Sequence, residues 1–434
     1  MQAGSNPSVA LRSAAAGRAC EALAAYAATR AQTARLAAPL SAEDCALQSM
    51  PDASPTKWHL GHTSWFFETF VLEPGLPDYR PYRTEFRTLF NSYYVAVGPR
   101  HPRPERGLLS RPSLAETLAY RASVDERMTA LFERHPDIAG RYADLIELGL
   151  NHEQQHQELL LTDIKHLLSR NPLYPAYMDA AREGAGGGCA SAPGRWRRFP
   201  EGVRALGHAG EGFSFDNELP RHRVYLGDFE LAGQLSTNAE YVAFMDDGGY
   251  ERPELWLAEG WDVKCAQVWC APLYWVKQAP GWAQFTLGGL RPLQPAEPVV
   301  HLSCYEADAF ARWSGARLPT EFEWEVAAAE QPLAGNFLES GLLHPSGQAG
   351  PGERGFFGDC WIWTSSSYSP YPGYRPAAGA VGEYNGKFMV NQYVLRGGSC
   401  ATPRSHIRAS YRNFFPAPAR WQFSGVRLAR ESAG

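Results

Sequence analysis

The sequence predicts two domains of different class, a helical bundle followed by an irregular α+β domain. Up to about residue 170 of the 434-residue chain, long stretches rich in Ala, Leu, Glu and Arg carry a helical periodicity. Beyond it, the chain is dense in Gly, Pro, Trp and Tyr and has only short apolar fragments. The Gly-rich segment REGAGGGCASAPG at 182–194 is typical of a linker. We therefore predict domains at 1–181 and 195–434.

The first domain is predicted to be a four-helix bundle. Its helices are expected near 8–36, 55–70, 113–134 and 138–169. Ser54 is a plausible N-cap and Pro55 a good first-turn residue for the second of them. Bundles of this kind build metal sites from side chains on facing helices. The Pro-, Tyr- and Arg-rich connection at about 72–111 is too long for a passive loop, so we expect it to be functional.

The second domain is predicted to be a mixture of short strands, ordered loops and a few helices. Its helices are expected at 236–247, with Ser236 or Thr237 as cap, and at 303–314 and 320–329. Short apolar fragments separated by Gly and Pro predict strands and turns in the remainder.

Charge and cysteine content restrict the class of protein. The net charge of −5 gives no sign of a nucleic-acid partner, and no apolar run approaches the length needed to span a membrane. The 8 cysteines contain no CxxC pair, which is typical of reduced thiols, so a cytoplasmic location is predicted. The oligomeric state stays open.

The segment NHEQQHQE at 151–158 is the most informative motif. Its histidines, His152 and His156, are four residues apart in a predicted helix, so both imidazoles can reach one point. Imidazole binds iron, zinc, copper and nickel, and a chance pair on a solvated helix face is the alternative. A third ligand is expected from PTKWHLGHTSWFFE at 55–68, where spacing does not decide between His59 and His62.

Both halves of the chain resemble known families. PTKWHLGHTSWFFE and NHEQQHQE resemble the metal-ligand segments of the DinB-type four-helix bundle. The second half resembles the formylglycine-generating-enzyme fold, a C-type-lectin-like domain, in FSFDNELPRHRVYLGDFEL, GARLPTEFEWEVAA, LRGGSCATP and SGVRLAR. The fusion of the two is similar to the iron-dependent sulfoxide synthases of ergothioneine biosynthesis, and the resemblance covers nearly the whole chain.

The resemblance implies a complete metal site. It implies Fe(II) as cofactor, O2 as co-substrate, and His62, His152 and His156 as ligands, with His59 of little importance. It also implies that Glu158 orients a ligand imidazole, with a solvated position on the helix face as the alternative. Three imidazole ligands would leave positions on the ion for substrates, and bringing them together there would provide catalysis by proximity.

Two motifs in the long connection gain roles from the same resemblance. HPRPERGLL at 101–109 implies that Arg103 and Arg106 bind the carboxylate of the sulfur donor. NSYYVAVG at 91–98 implies Tyr93 and Tyr94 as catalytic tyrosines of the type that uses free cysteine, and the sequence does not tell which of them faces the iron. The alternative for the tyrosines is that they only pack in the core. The alternative for the arginines is that they lie on the surface of a Pro-rich loop and bind no substrate.

The pocket for the second substrate is implied by RNFFPAPARWQFSGVRLAR at 412–430. The resemblance assigns Asn413, Phe414 and Phe415, together with Gln155, to hercynine, the trimethylammonium betaine of histidine. An aromatic ring attracts a quaternary ammonium by about 0.5–2 kcal/mol. Phe415 stands where the γ-glutamyl-using form has an acidic residue, which favours a smaller donor.

The predicted function is an iron- and O2-dependent sulfoxide synthase that joins cysteine sulfur to the imidazole C2 of hercynine. A selenoneine synthase that takes a selenosugar, and a relative that uses plain histidine, are alternatives within the family. The relative that uses plain histidine usually carries a C-terminal methyltransferase domain, for which we expect no room in this chain. A non-catalytic lectin-like binding protein is the alternative from another class. Whether the second domain holds a structural metal stays open.

Overall fold

The computed structural model describes residues 7–179, 196–210, 212–346 and 355–432. The predicted linker at 182–194 lies outside these residues. The chain divides into two compact units, one of Met1–Leu167 with Gly379–Val381 and one of Leu168–Ala378 with Gly382–Gly434. None of the helices within the described ranges is long and apolar enough to cross a bilayer.

The first unit is helical, as the sequence predicts. Its helices are α1 (Pro7–Ala37), α2 (Thr56–Phe67), α3 (Glu73–Gly75), α4 (Phe86–Leu89), α5 (Leu114–Arg134), α6 (Pro136–Arg141) and α7 (Ala143–Ser169). A π-helical turn, Glu68–Leu72, continues α2. Ser113 and Glu116 form a capping box that fixes the start of α5.

Two details of this unit differ from the prediction. Pro55, rather than Ser54, is the N-cap of α2, because the Ser54 side chain accepts a hydrogen bond from Arg106 instead of capping the helix. The predicted helix at 138–169 is divided, since Tyr142 leaves helical geometry with φ −102° and ψ 14° between α6 and α7.

Long apolar side chains from α2, α5 and α7 fill the core of the bundle. The fully buried members include Trp65, Phe66, Val124, Met128, Leu160 and Leu161. The approach of α7 to α2 depends on Gly149, because a Cβ there would lie 2.6 Å from the Phe67 ring and 2.8 Å from the Phe66 ring. That approach brings the middle of α7, which carries the histidine motif, against α2.

The second unit contains four helices within its described residues. They are α8 (Asn238–Asp246), α9 (Ala258–Ala266), α10 (Cys304–Trp313) and α11 (Glu321–Ala328). Capping boxes begin α8 at Thr237, α10 at Ser303 and α11 at Thr320, which explains why those helices could be located from sequence. Helix α9 was not predicted, and its N-cap, Leu257, makes no side-chain capping bond.

Short strands make up the rest of the second unit. They are β1 (Trp196–Phe199), β2 (Gly202–Leu206), β3 (His222–Leu226), β4 (Phe229–Ala232), β5 (Trp275–Gln278), β6 (Gly281–Thr286), β7 (Gly289–Pro292), β8 (Gly335–Asn336), β9 (Phe357–Gly358), β10 (Trp361–Ser367), β11 (Tyr393–Arg396), β12 (Asn413–Phe415), β13 (Ser424–Gly425) and β14 (Ala429–Glu431). The described sheets have the orders β1-β4-β14, β12-β11-β10-β13, β5-β6-β7, β2-β3 and β8-β9. The pairs β10–β13 and β8–β9 are parallel, and the other pairs are antiparallel.

Candidate metal centre

Three buried histidines converge in the core of the helical unit. His62 comes from α2, and His152 and His156 come from one face of α7. One nitrogen of each lies within 4.8 Å of the others, and all three side chains are buried. Of the two candidates in the α2 motif, the cluster includes His62 and not His59.

Hydrogen bonding fixes which nitrogen of His62 faces the cluster. Its Nδ1 is 2.6 Å from the carbonyl oxygen of Phe90, which can only accept, so Nδ1 carries the proton. In the neutral ring Nε2 then carries a lone pair, and it lies 3.1 Å from Nε2 of His152. Two nitrogens bound at right angles about 2.1 Å from one ion would be about 3.0 Å apart. The pair is therefore spaced as two ligands of one ion would be.

Burial keeps these imidazoles neutral. It is the largest cause holding the pKa of His62 and of His156 well below the ordinary histidine value, and it lowers the pKa of His152 to about 3. A metal needs the neutral imidazole, because only that form has a free lone pair. Three neutral imidazoles without a carboxylate fit a divalent transition ion such as iron, zinc, copper or nickel.

Two indole rings stack on the His62 imidazole. The Trp58 ring is stacked on it at 4.6 Å and 14°, and the Trp65 ring at 5.5 Å and 18°. The Phe66 ring lies 4.9 Å from that of His152. Since these rings are in van der Waals contact, the imidazoles cannot turn away from the cluster without displacing core side chains.

The histidine that the cluster leaves out lies directly behind it. His59 is buried, its Nδ1 is 2.8 Å from Nδ1 of His156, and its Nε2 is 3.0 Å from Oδ2 of Asp163. Sequence reasoning gave neither His59 nor Asp163 a role. A signal was present, because Asp163 follows His156 by seven residues, or two helical turns, and so lies on the same face of α7.

Glu153 is a second carboxylate that sequence reasoning missed. It is fully buried beside His152 and binds Arg30 from α1 and Arg121 from α5. Glu158, to which the sequence assigned the orienting role, is half-buried. Its role stays a prediction, while Asp163 is linked to the cluster member His156 through His59.

The loop between α4 and α5 places the two tyrosines against the core. Tyr94 is fully buried, with its ring 5.6 Å from Trp65, the residue stacked on His62. Tyr93 is half-buried and its hydroxyl is 3.5 Å from that of Tyr94. Buried Asn91 organises the loop, because its side chain bonds both the N–H and the carbonyl of Tyr94. The catalytic role of the tyrosines stays a prediction.

The two arginines of the loop differ in environment. Arg106 is 3% exposed, and its guanidinium lies 3.3 Å from the centre of the Trp58 ring. It donates to the hydroxyls of Ser54 and Ser92, and its buried Nε has no hydrogen-bond partner. Arg103 is exposed and donates to the backbone carbonyl of Asp52.

Arg106 therefore has the properties of a buried anion site. Among the described residues, no carboxylate lies within salt-bridge distance of it. Burial, with Arg103 as a second cause, lowers the pKa of Arg106 to about 8. A bound anion would relieve that cost by supplying the missing counter-charge. The sequence-based prediction gave Arg103 and Arg106 the same role. In the structure only Arg106, of these two, is a buried guanidinium.

The remaining predicted residues lie half-buried in their own units. Gln155 precedes His156 on α7, and Asn413, Phe414 and Phe415 form β12, an outer strand of its sheet. The Phe414 ring stacks on that of Tyr368 at 4.0 Å and 11°. The hercynine-binding role of these residues stays a prediction.

Comparison with known proteins gives matches to both units. The family model of the sulfatase-modifying factor enzyme 1-like domain matches residues 197–348 and 342–432. The family model of the DinB superfamily matches residues 25–160. These matches confirm the predicted fold class, a DinB-like bundle followed by a formylglycine-generating-enzyme-like domain of the C-type-lectin type.

Relatives match over most of the chain. A hercynine oxygenase of Mycolicibacterium smegmatis is 33% identical over 414 residues, which cover 88% of this chain and 92% of the relative. A hercynine oxygenase of Mycobacterium tuberculosis is 32% identical over 92% of this chain and 96% of its own length. A formylglycine-generating enzyme of Streptomyces coelicolor is 31% identical over 46% of this chain and 77% of its own length. The chain therefore belongs to the hercynine oxygenase family.

Proposed function

We propose that this protein is a non-heme, Fe(II)- and O2-dependent sulfoxide synthase that joins the sulfur of cysteine to the imidazole C2 of hercynine. The observation that carries the proposal is the buried three-histidine cluster, in a chain similar to hercynine oxygenases over most of its length. The absence of a carboxylate from the described cluster favours a redox-active ion over the hard cations that prefer oxygen ligands.

The proposed reaction balances with O2 as the only oxidant. Hercynine loses its C2 hydrogen, cysteine loses its thiol hydrogen, and the C2–S bond forms, which releases two electrons. Oxidation of that sulfur to the sulfoxide releases two further electrons. O2 accepts all four, so one of its atoms ends in the sulfoxide and the other in water. A ferrous ion held by the three histidines would supply the one-electron steps that let O2 react with a thiol and an imidazole.

Residues of the chain bind and orient the substrates in this proposal. Arg106 receives the carboxylate of cysteine, since it is a buried cation without a carboxylate partner in the described part of the chain. This role is supported by the contact of Arg106 with Trp58, which is stacked on His62, because it puts the guanidinium one side chain away from the cluster. Tyr93 and Tyr94 supply a phenol that donates a proton during C–S bond formation. Hercynine binding is assigned to Gln155 and to β12.

The state of Arg106 bears on the two alternative functions. A selenosugar has no amino-acid carboxylate, so a selenoneine synthase would leave this buried guanidinium without its anion. A non-catalytic binding protein would need neither a metal nor the neutral buried imidazoles. Both alternatives are outcomes of the following experiment.

The test is product analysis under competing conditions. The full chain, reconstituted anaerobically with Fe(II), is given hercynine and O2 with cysteine, γ-glutamylcysteine or a selenosugar, each alone and all together. We expect a cysteine-derived sulfoxide as the main product in the mixture, detected by mass spectrometry. A selenium-containing product in preference to it would establish the selenoneine reading, and no product with any donor would refute the enzymatic proposal.

A further inference from the structure

We propose that His59 and Asp163 form a relay that positions His156 as a metal ligand, by fixing the tautomer and the orientation of its ring. The inference deepens the proposed function, because it rests on the three-histidine site as a metal centre. His59 and Asp163 act through His156 and have no contact with the ion in this proposal.

The relay begins at Asp163. Its Oδ2 accepts the backbone N–H of Ser54 at 2.8 Å and faces Nε2 of His59 at 3.0 Å. Asp163 is 5% exposed and His59 is 2% exposed, so water does not compete for these bonds. A carboxylate oxygen can only accept, so Nε2 of His59 carries the proton.

The tautomer of His59 then determines that of His156. With its proton on Nε2, the neutral His59 ring presents a lone pair at Nδ1, which can only accept. Nδ1 of His156, 2.8 Å away, must therefore carry a hydrogen to make the bond. The lone pair of His156 is left on Nε2, the nitrogen that we assign to the metal. Without the relay, the proton of His156 could occupy either nitrogen, and Nε2 could not bind the ion in the tautomer that carries the proton there.

The tautomer of His62 is fixed in the same way by a different partner. Its Nδ1–H donates to the Phe90 carbonyl, which leaves Nε2 for the ion. Among the described contacts of His156, no backbone carbonyl accepts from its Nδ1. The acceptor is instead the His59 imidazole, which is itself hydrogen-bonded to the Asp163 carboxylate. A carboxylate behind a ligand histidine raises its basicity as well as fixing its ring, and loss of such a partner typically costs about 10- to 100-fold in metal affinity. The sequence-based expectation that His59 is of little importance is therefore revised.

The experiment measures metal binding to the metal-free full chain. Co(II) is titrated anaerobically in competition with a chelator, and the visible spectrum of the bound ion reports its coordination. His59→Leu keeps apolar volume and removes both bonds, whereas His59→Gln keeps one acceptor for His156 and one donor for Asp163. The control is His166→Leu, a half-buried histidine of α7 whose Nδ1 bonds Ser49.

We expect His59→Leu to weaken Co(II) binding by about 10- to 100-fold and to alter its spectrum. His59→Gln should recover most of the affinity, and His166→Leu should match the wild type. Wild-type affinity and spectrum in His59→Leu would overturn the relay, as would an equal loss in His166→Leu. If the wild-type chain itself binds no Co(II), the metal centre fails, and the proposed function fails with it.

Discussion

Replacement of Glu153 by Gln should destabilise the helical unit severely, because this carboxylate joins three helices inside the core. Its Oε2 accepts from Arg30 Nη1 at 2.9 Å, and its Oε1 accepts from Arg121 Nη2 and Thr33 Oγ1, each at 2.6 Å. Gln keeps the shape and removes the charge. Arg30 keeps Asp125 as a partner, whereas Arg121 is left without a carboxylate among the described residues.

Two independent routes give a similar magnitude. Removal of one partner from a buried ion pair typically costs about 3–5 kcal/mol. Burial alone would raise the pKa of Glu153, but the Arg121 and Arg30 guanidiniums hold it at about 2, against an ordinary value of 4.5. That difference corresponds to about 3 kcal/mol of stabilisation at neutral pH. With a urea m-value of about 2–3 kcal/mol/M, the unfolding midpoint should fall by about 1–2 M.

The assay is urea unfolding of the metal-free full chain, followed by circular dichroism at a helical wavelength. Glu126→Gln is the control, because Glu126 is an exposed carboxylate on α5, one of the helices that Glu153 joins, and its loss should cost under about 0.5 kcal/mol. Addition of Arg121→Met to Glu153→Gln should restore part of the stability, since it removes the uncompensated charge. A midpoint for Glu153→Gln equal to that of the control would refute the reasoning.

The other predictions concern substrates, oxygen and pH. Arg106→Ala should raise the KM for cysteine by about 10- to 150-fold and leave the KM for hercynine nearly unchanged, whereas Arg103→Ala should have a smaller effect because Arg103 is exposed. A KM for cysteine that is the same in both variants and in the wild type would contradict this prediction. Tyr93→Phe, Tyr94→Phe or the double variant should raise the ratio of cysteine sulfinate to sulfoxide product at equal oxygen consumption. An unchanged ratio and rate in the double variant would show that both tyrosines are packing residues. Burial alone would raise the pKa of Glu321, but two buried arginines hold that pKa below its ordinary value. The ion pairs of Glu321 therefore stabilise the fold fully at neutral pH, and this contribution is lost as the pH falls below about 4.5. The wild type should therefore lose more unfolding free energy than Glu321→Gln between pH 6 and about pH 3.5, as measured by urea midpoints.

Local signals explain which elements could be predicted. The capping residues Thr237, Ser303 and Thr320 mark their helices in the sequence, because a hydroxyl followed three residues later by Glu satisfies backbone groups locally. Helix α9 has no such signal. The division at Tyr142 was missed for a related reason, since an apolar periodicity continues through a residue that leaves helical geometry.

The site was predictable where its residues share a helix. The spacing of His152 and His156 indicates a common face, whereas the third ligand needed the family resemblance, because His59 and His62 are equally plausible by spacing. The relay through Asp163 and the burial of Arg106 depend on how α2, α7 and the long loop pack together. Contacts between elements distant in sequence have no local signature, so these features required the structure.

Iron-dependent product formation tests the central proposal most directly. Metal-free enzyme, prepared with a chelator, is loaded anaerobically with increasing Fe(II), and a pulse of O2 is added with cysteine and hercynine. We expect sulfoxide product to rise in proportion to bound iron up to one ion per chain, and to be absent in His62→Ala. Product from the metal-free enzyme, or full iron occupancy and turnover in His62→Ala, would contradict the assignment of the three histidines as the iron site.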